Sequence, residues 1–282
     1  MSARVAVVIA TRDRRAELLS TLAHLRALEE CPRVVVVDND SSDGTSEAAR
    51  AAGAEVIELR RNRGGAARTV GARAVEEPYV AFADDDSWWA RGALGRAADL
   101  LDRHPRLGLV AARVLVGPDA REDAVCGAMT KSPLPPEPEL PGTPVLGFVA
   151  CGAVVRRAAF LAAGGFHPRF GIGGEEELLA LDLARAGWGV AYVPEVVAHH
   201  HPSLSRDPRA RGRGQARNAL WCAWLRSPGR SLVRRSAQVL KGAGGGARLG
   251  LLDAAVGLPW VLRERRVVPP RLDAALRALE QE

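Results

Sequence analysis

The sequence predicts an α/β domain built on a parallel, Rossmann-like sheet, and three observations carry that expectation. Short β-prone apolar runs recur at residues 5–9, 34–37, 56–59 and 79–83. Helix-like stretches separate them, so strand and helix alternate and the crossovers are right-handed. Finally, Thr11, Asp38, Arg60 and Asp84 each stand just past a strand end. Ligands of such sheets bind beyond the carboxyl ends of the strands, so these residues converge on one crevice.

The first run, Val-Ala-Val-Val-Ile, is continuous rather than alternating, as expected of a strand buried on both faces. Thr11, Arg12 and Asp13 follow it, and a helix from about 16 to 28 places Leu18, Leu22, Leu25 and Leu28 at core spacing. Four valines at 34–37 form the second strand, which empties into Asp38-Asn39-Asp40-Ser41-Ser42-Asp43-Gly44-Thr45. A turn with helix N-caps would account for that stretch without any ligand. A helix over 46–52 leads to the third strand, and the loop 60–65, rich in Arg, Asn and Gly, opens another helix near Ala66. The fourth strand delivers Asp84, Asp85 and Asp86 ahead of Ser87-Trp88-Trp89. Three like charges at a strand end repel one another unless a cation sits among them. Mg²⁺ and Mn²⁺ take carboxylate oxygens and are usually completed by substrate phosphates. The bland alternative is a solvated acidic turn at the start of the next helix.

Neither Gly-x-Gly-x-x-Gly after the first strand nor a Walker loop is present, which argues against a dinucleotide dehydrogenase and a P-loop ATPase. An acid after strand two, a basic glycine-containing loop after strand three and an acid cluster after strand four suit a nucleoside diphosphate. The carboxylate would meet base or ribose, the basic groups the phosphates, and a metal the pyrophosphate.

The stretch VVVVDNDSSDGT at 34–45, Asn62-Arg63-Gly64-Gly65 with Gly71, and the Asp triplet resemble the family-two glycosyltransferases of the GT-A fold. The resemblance continues through Gly164-Gly165-Phe166, Glu175-Glu176-Glu177-Leu178-Leu179, Arg185-Ala186-Gly187-Trp188 and Tyr192-Val193-Pro194-Glu195 to His199. It covers about residues 4–202 in order; one departure is Ala10, where the family commonly has Pro. The resemblance implies a mixed, mainly parallel sheet flanked by helices. It also implies an inverting, metal-dependent transfer of sugar from a nucleoside-diphosphate sugar to an acceptor hydroxyl. By that match Thr11, Arg12, Asp13, Asp38, Asn62, Arg63, Gly65, Asp84 and Asp85 serve the nucleotide, with Asp38 on the base. Asp84 and Asp86 form the Asp-x-Asp element that holds Mn²⁺ or Mg²⁺, and His199 fits the spacing of a further metal ligand. His201 and a plain exposed loop stay open at that place. Counting back from Ala186-Gly187 puts the family's base position at Glu176, with Glu175 as a helix-start or acceptor-positioning acid and Glu177 solvated.

In the second half a helix runs to about 104, and a strand is expected at 107–116. Residues 117–143, with five prolines from Pro133 to Pro141, read as a flexible loop. Another strand is expected at 145–155, then a glycine-dense, mobile stretch at 164–174 that opens a helix over 175–186. Glutamates at such a helix start stay ionised, because the dipole favours the anion, and an ionised carboxylate is what a general base needs. A strand at 190–193 precedes the three histidines 199–201. From Pro202 the character changes: Arg206, Arg209, Arg211, Arg213 and Arg217 precede Leu220, Trp221, Trp224 and Leu225 on one helical face. A membrane-surface helix is one reading; packing on the catalytic core is favoured over it.

The domain boundaries expected are 1–205 for the catalytic domain and 206–282 for a helical C-terminal extension. Within the first, 1–116 is the nucleotide-sugar half and 145–205 the acceptor half. With 47% hydrophobic residues the 282-residue chain has a sizeable core. The net charge is +6 but only Lys131 and Lys241 are lysines, so the arginine usage carries no expectation of nucleic-acid binding. Cys31, Cys126, Cys151 and Cys222 are far apart, which speaks against a zinc site or a disulfide framework. No signal-peptide pattern opens the chain and no apolar run is long enough to span a bilayer, so a cytoplasmic protein, at most peripheral to a membrane, is expected. Two rival readings remain: a nucleotidyltransferase of similar fold, and a non-catalytic binding protein of the same shape.

Overall fold

The computed structural model describes residues 4–202, 208–242 and 244–280. In chain order they form β1 (Val5–Thr11), α1 (Arg15–Arg26), β2 (Arg33–Asp38), α2 (Thr45–Ala51), β3 (Glu55–Glu58), α3 (Ala67–Ala74), β4 (Tyr79–Asp84) and β5 (Ser87–Trp89). These are followed by α4 (Ala93–Arg103), β6 (Leu107–Val116), β7 (Arg121–Glu122), α5 (Ala124–Thr130), β8 (Thr143–Pro144), β9 (Ala153–Arg156), α6 (Arg157–Ala162), α7 (Glu175–Arg185) and β10 (Gly189–His200). The C-terminal helices are α8 (Pro208–Arg226), α9 (Gly229–Gly242), α10 (Gly244–Val256), α11 (Leu258–Glu264) and α12 (Pro270–Leu279).

The strands make one mixed sheet in the order β3-β2-β1-β4-β9-β6-β10-β5, with β7 on β6 and β8 on β10. β1 pairs parallel with β2 and β4, in register Thr11 to Asp38 and Ala10 to Asp84, so the polar residues at three strand ends lie side by side. Antiparallel β9 joins this half to the second parallel pair, β6 and β10. The apolar run of β1 is buried on both faces, as its sequence demands: Val7 and Ile9 pack with α1 and α4 residues, Ala6 and Val8 with the α3 side.

A third core lies outside the sheet. Phe170, Leu178 and Leu181 from the loop and helix α7 pack with Leu220, Trp221 and Leu225 of α8 and with residues of α10 to α12. Arg226 closes this seam by a bidentate pair with buried Asp182, both contacts 2.8 Å. The aromatic face of α8 is therefore covered by protein, and half-buried Trp224 donates its Nε1–H to Ser236 Oγ. The expected boundary at 205/206 lies outside the described residues, as does Arg206.

Three sequence expectations need correction. Residues 117–143 are not simply a loop: β7 and α5 stand there, with Cys126 and Met129 buried and Asp123 capping α5 through Val125 N. Residues 145–155 are not one strand, because a short 3₁₀ turn over Ala150–Gly152 precedes β9. And β10 runs twelve residues to His200, so the histidines sit on the strand and its end, not in a loop after it.

Candidate functional site

The strand ends open onto a cleft of about 580 Å³, a size ordinary for small-molecule sites. Its floor is the Asp triplet. Thr11 Oγ1 donates to Asp85 Oδ2 at 2.8 Å, Thr21 Oγ1 donates to the Asp85 carbonyl at 2.8 Å, and the Asp84 N–H donates to Ser87 Oγ at 2.7 Å. The three acids are thus fixed by β1, α1 and β5 before any ligand arrives. Burial, with help from Asp84 and Asp86, pushes Asp85 up to about 7 against the hydrogen bond from Thr11.

Arg68 is the buried one of the three arginines that line the cleft. It stands at the start of α3, which approaches the sheet closely because Gly71 faces β1: a Cβ there would lie 2.4 Å from Val8 Cγ1. Its guanidinium, 8% exposed, pairs with Asp84. Burial opposes its charge, but Asp84, Glu175 and Glu176 outweigh that and raise its pKa. No sequence pattern singled it out; only its place at the mouth of a helix after the third strand could have.

The opposite wall comes from the glycine-dense stretch and α7. Gly64 N–H and Gly65 N–H find Asn62 Oδ1 and the Gly171 carbonyl, each at 2.7 Å, so the two glycine loops are sewn together. Gly64 has φ +55, and a Cβ there would sit 2.7 Å from the Gly171 backbone. Asn218 of α8 donates to the carbonyls of Phe170 and Gly173 at 2.7 and 2.6 Å, which ties down a stretch expected to be mobile. Glu175 and Glu176 then project into the cleft. Glu175 is buried, and burial together with the Glu176 charge raises its pKa, so the expectation that it stays ionised is reversed: desolvation outweighs the helix start. Glu177, expected to be solvated, pairs instead with Arg235 of α9.

Of the other expected nucleotide residues, Thr11, Arg12, Asn62, Gly65, Asp84 and Asp85 line the cleft. Asp13, Asp38 and Arg63 do not; they build its rim. Asp38 accepts from Ser41 N at 3.0 Å, Ser41 Oγ at 2.5 Å and Ser46 Oγ, and Asp13 accepts from Ser42 N at 2.8 Å. The residue that faces inward is the next one, Asn39, whose Oδ1 also receives the Arg63 N–H at 3.0 Å.

The histidine expectation shifts by one. His199 stacks near Trp88, 5.7 Å between ring centroids, and burial, then His201 and His24, lower its pKa. His200 lines the cleft, with Nε2 3.3 Å from Asp86 Oδ1. Successive strand residues point to opposite faces, so once β10 extends this far only one of the two can face the acids. His201 sends its backbone N–H to the Asp86 carbonyl at 2.8 Å. Asp84, Cys151 and His200 offer ligand atoms within 4.8 Å of one another. Burial drives the Cys151 thiol well above its usual pKa, and Mn²⁺ and Mg²⁺ take oxygen in preference to sulfur, so Asp84 is the donor of that group best suited to them, with His200 beside it and Asp86 3.3 Å from the His200 ring. Five carboxyl groups and three guanidiniums line the cleft; with Glu175 pushed towards the protonated form and Asp85 raised to about 7 their charges come close to balance, so a diphosphate would leave the cleft negative and a divalent cation would offset it.

A sequence model described as glycosyl transferase family 2 matches residues 6–162, more than half of the chain. A curated relative, N-acetylglucosaminyl-diphospho-decaprenol L-rhamnosyltransferase of Mycobacterium tuberculosis, is 31% identical, covering 72% of this chain and 78% of that protein. Among solved structures, the mannosyltransferase PcManGT from Pyrobaculum calidifontis, in complex with GDP-Man and Mn²⁺, superposes with TM-score 0.61 at 21% identity over 99% of this chain and 86% of its own. Residues 1–349 of S. aureus TarS in complex with UDP-GlcNAc superpose with TM-score 0.62 at 17% identity, over 96% and 83%. At these identities the structures speak for the shared GT-A fold.

Proposed function

The chain belongs to glycosyl transferase family 2 and is a glycosyltransferase; on that premise we propose that it moves a sugar, with inversion, from a nucleoside-diphosphate sugar to a hydroxyl of a lipid-diphosphate-linked acceptor. The observation that supports this reading is the opposition, across one cleft, of an Asp84–Asp86–His200 set and the Glu175–Glu176 pair. Thr11, Asn39 and Asn62 orient the nucleotide, and Arg12, Arg14 and Arg68 face its phosphates. Asp84, Asp86 and His200 would hold a divalent cation, which would supply charge compensation for a diphosphate leaving group. Arg68, already paired with Asp84, adds its positive charge at the same place.

Glu176 is the general base in this scheme. It is half-buried on the cleft wall, while its neighbour Glu175 is buried and pushed towards the protonated form, so the pair carries one available carboxylate. Taking the acceptor proton as the hydroxyl attacks the anomeric carbon in line gives a single displacement and therefore inversion. The acceptor class follows from likeness to the curated relative, whose name carries a diphospho-decaprenol substrate.

The test is a panel of nucleoside-diphosphate sugars incubated with the protein, Mn²⁺ or EDTA, and a sugar-diphosphate-polyprenol acceptor, followed by chromatography and anomeric NMR of the product. Transfer that needs the metal and yields the inverted anomer is expected. Retention of configuration, or full transfer in EDTA, overturns the mechanism. Transfer only to water-soluble acceptors overturns the acceptor class and leaves the rest.

A further inference from the structure

Among the described residues nine large hydrophobic side chains are exposed, and eight of them fall between residues 233 and 267. The ninth, Ile172, borders the cleft itself. On α9, Val233 and Leu240 share a face at helical spacing; on α10, Leu249, Leu252 and Val256 do the same, and Leu258 and Leu262 continue it on α11. Val256 is 83% exposed and Leu262 68%. Isolated apolar residues on a surface need no explanation, but a run confined to three consecutive helices does.

Charge says what covers it. Between residues 229 and 264 the sequence has six basic residues and two acids, Asp253 and Glu264. Arg234 and Arg235 pair with Glu280 and Glu177, Asp253 accepts from Arg213 Nε at 2.5 Å and Nη2 at 2.6 Å, and Glu264 stands 3.0 Å from His167 Nε2. Arg230, Lys241 and Arg263 are exposed beside the apolar positions. A second copy of the chain docked symmetrically on this face would set like charges against like. Anionic lipid headgroups complement both the cations and the apolar side chains between them. No helix among the described residues is long and apolar enough to cross a membrane, so the contact lies in the surface plane.

We propose that the outer face of α9, α10 and α11 docks this chain on an anionic lipid bilayer. The apolar side chains enter the headgroup boundary, and the flanking Arg and Lys meet lipid phosphates. The helix that carries this face is joined to the cleft wall through its inner side: Gly250 of α10 abuts residues 213–217 of α8, where Gly214 borders the cleft and Gln215 touches Gly173. This deepens the lipid-linked acceptor reading and takes its purpose from it, since a docked chain would meet an acceptor sugar held at the bilayer surface.

The test is flotation of the full chain with phosphatidylcholine vesicles, with and without phosphatidylglycerol. Co-flotation with the anionic vesicles that weakens in high salt is expected. The double variant Leu252→Glu, Val256→Glu, at exposed positions away from the cleft, should partition at least about tenfold less. Its thermal shift with nucleoside diphosphate and Mn²⁺ should match that of the parent chain. Equal partitioning of variant and parent, or no binding of the parent to anionic vesicles, overturns the proposal. So does a concentration-dependent dimer that the double variant abolishes while vesicles are ignored, which would assign the face to a second copy. Vesicle binding without transfer to a lipid-linked acceptor refutes the acceptor reading alone.

Discussion

At the scale of single residues, chemistry in the cleft turns on neighbours that differ by one position. Glu176→Gln keeps shape and hydrogen bonding but cannot take a proton, so kcat should fall by roughly 10²–10⁴ while nucleotide affinity holds. Glu175→Gln, which resembles a state that burial already favours, should cost far less; steady-state kinetics with the two variants side by side decide the assignment. The same one-residue logic applies to the metal. His200→Ala should weaken Mn²⁺ binding measured by calorimetry in the presence of nucleotide, and His199→Ala should leave it near the parent value. The reverse order would mean that β10 shifts register when ligand binds. Asp85 offers a pH signature. Its folded pKa of about 7 lies above the ordinary value of 3.8, so the metal-free folded chain holds a proton that the unfolded chain has lost. The stability this contributes is complete below about pH 4 and is lost as pH rises towards 7, by at most about 4 kcal/mol. Asp85→Asn removes the titration and keeps an acceptor for Thr11. Its melting temperature without metal should therefore exceed the parent's at pH above about 7 and match it near pH 4. An equal difference at both would show Asp85 ionised throughout.

At the scale of elements, the glycine stretch before α7 is where position and support separate. The glycines allow the positive φ values at Gly171, Gly173 and Gly174, but Asn218 on a distant helix holds the conformation. Asn218→Ala leaves the Gly173 carbonyl without its donor and the Phe170 carbonyl with Arg217 Nη2 alone, which should lower stability by about 1–3 kcal/mol. Because the stretch carries Glu175 and Glu176, KM for the donor should rise as well. A variant with lowered stability and unchanged KM would mean that the glutamates are placed by α7 alone. Asp38 belongs to this scale too. Its carboxylate organises the turn through Ser41 and Ser46, so the weakened donor binding expected of Asp38→Ala arises through a displaced Asn39.

At the scale of the whole molecule, the helical segment after the sheet shares a core with the catalytic half. Phe170, Leu178 and Leu181 are packed by α8 residues, and the Asp182–Arg226 pair is buried within the seam. Asp182→Ala leaves a buried guanidinium uncompensated and should destabilise the chain by about 3–5 kcal/mol, in one cooperative transition by calorimetry. Two separate melting transitions in the parent chain would show instead that the helices fold as their own unit.

What the sequence determined by itself was the part written in local runs. Valine-rich strands, their alternation with helices and the acids at the strand ends require only nearest-neighbour patterning, and they fixed the sheet's parallel half and the place of the cleft. Ordered motifs carried the family. The side chains that face inward were decided only by tertiary structure. His200 displaces His199 because the length of β10 is set by its pairing with β6 and β5, and Asn39 faces the cleft because Asp38 is drawn into its own turn. Arg68 reaches Asp84 across sixteen residues of sequence, a contact that exists only once α3 lies on the sheet. The fate of the C-terminal helices was decided in the same way: their hydrophobic pattern marks apolar faces, but which face packs on α7 and which stays exposed depends on partners far away in the chain.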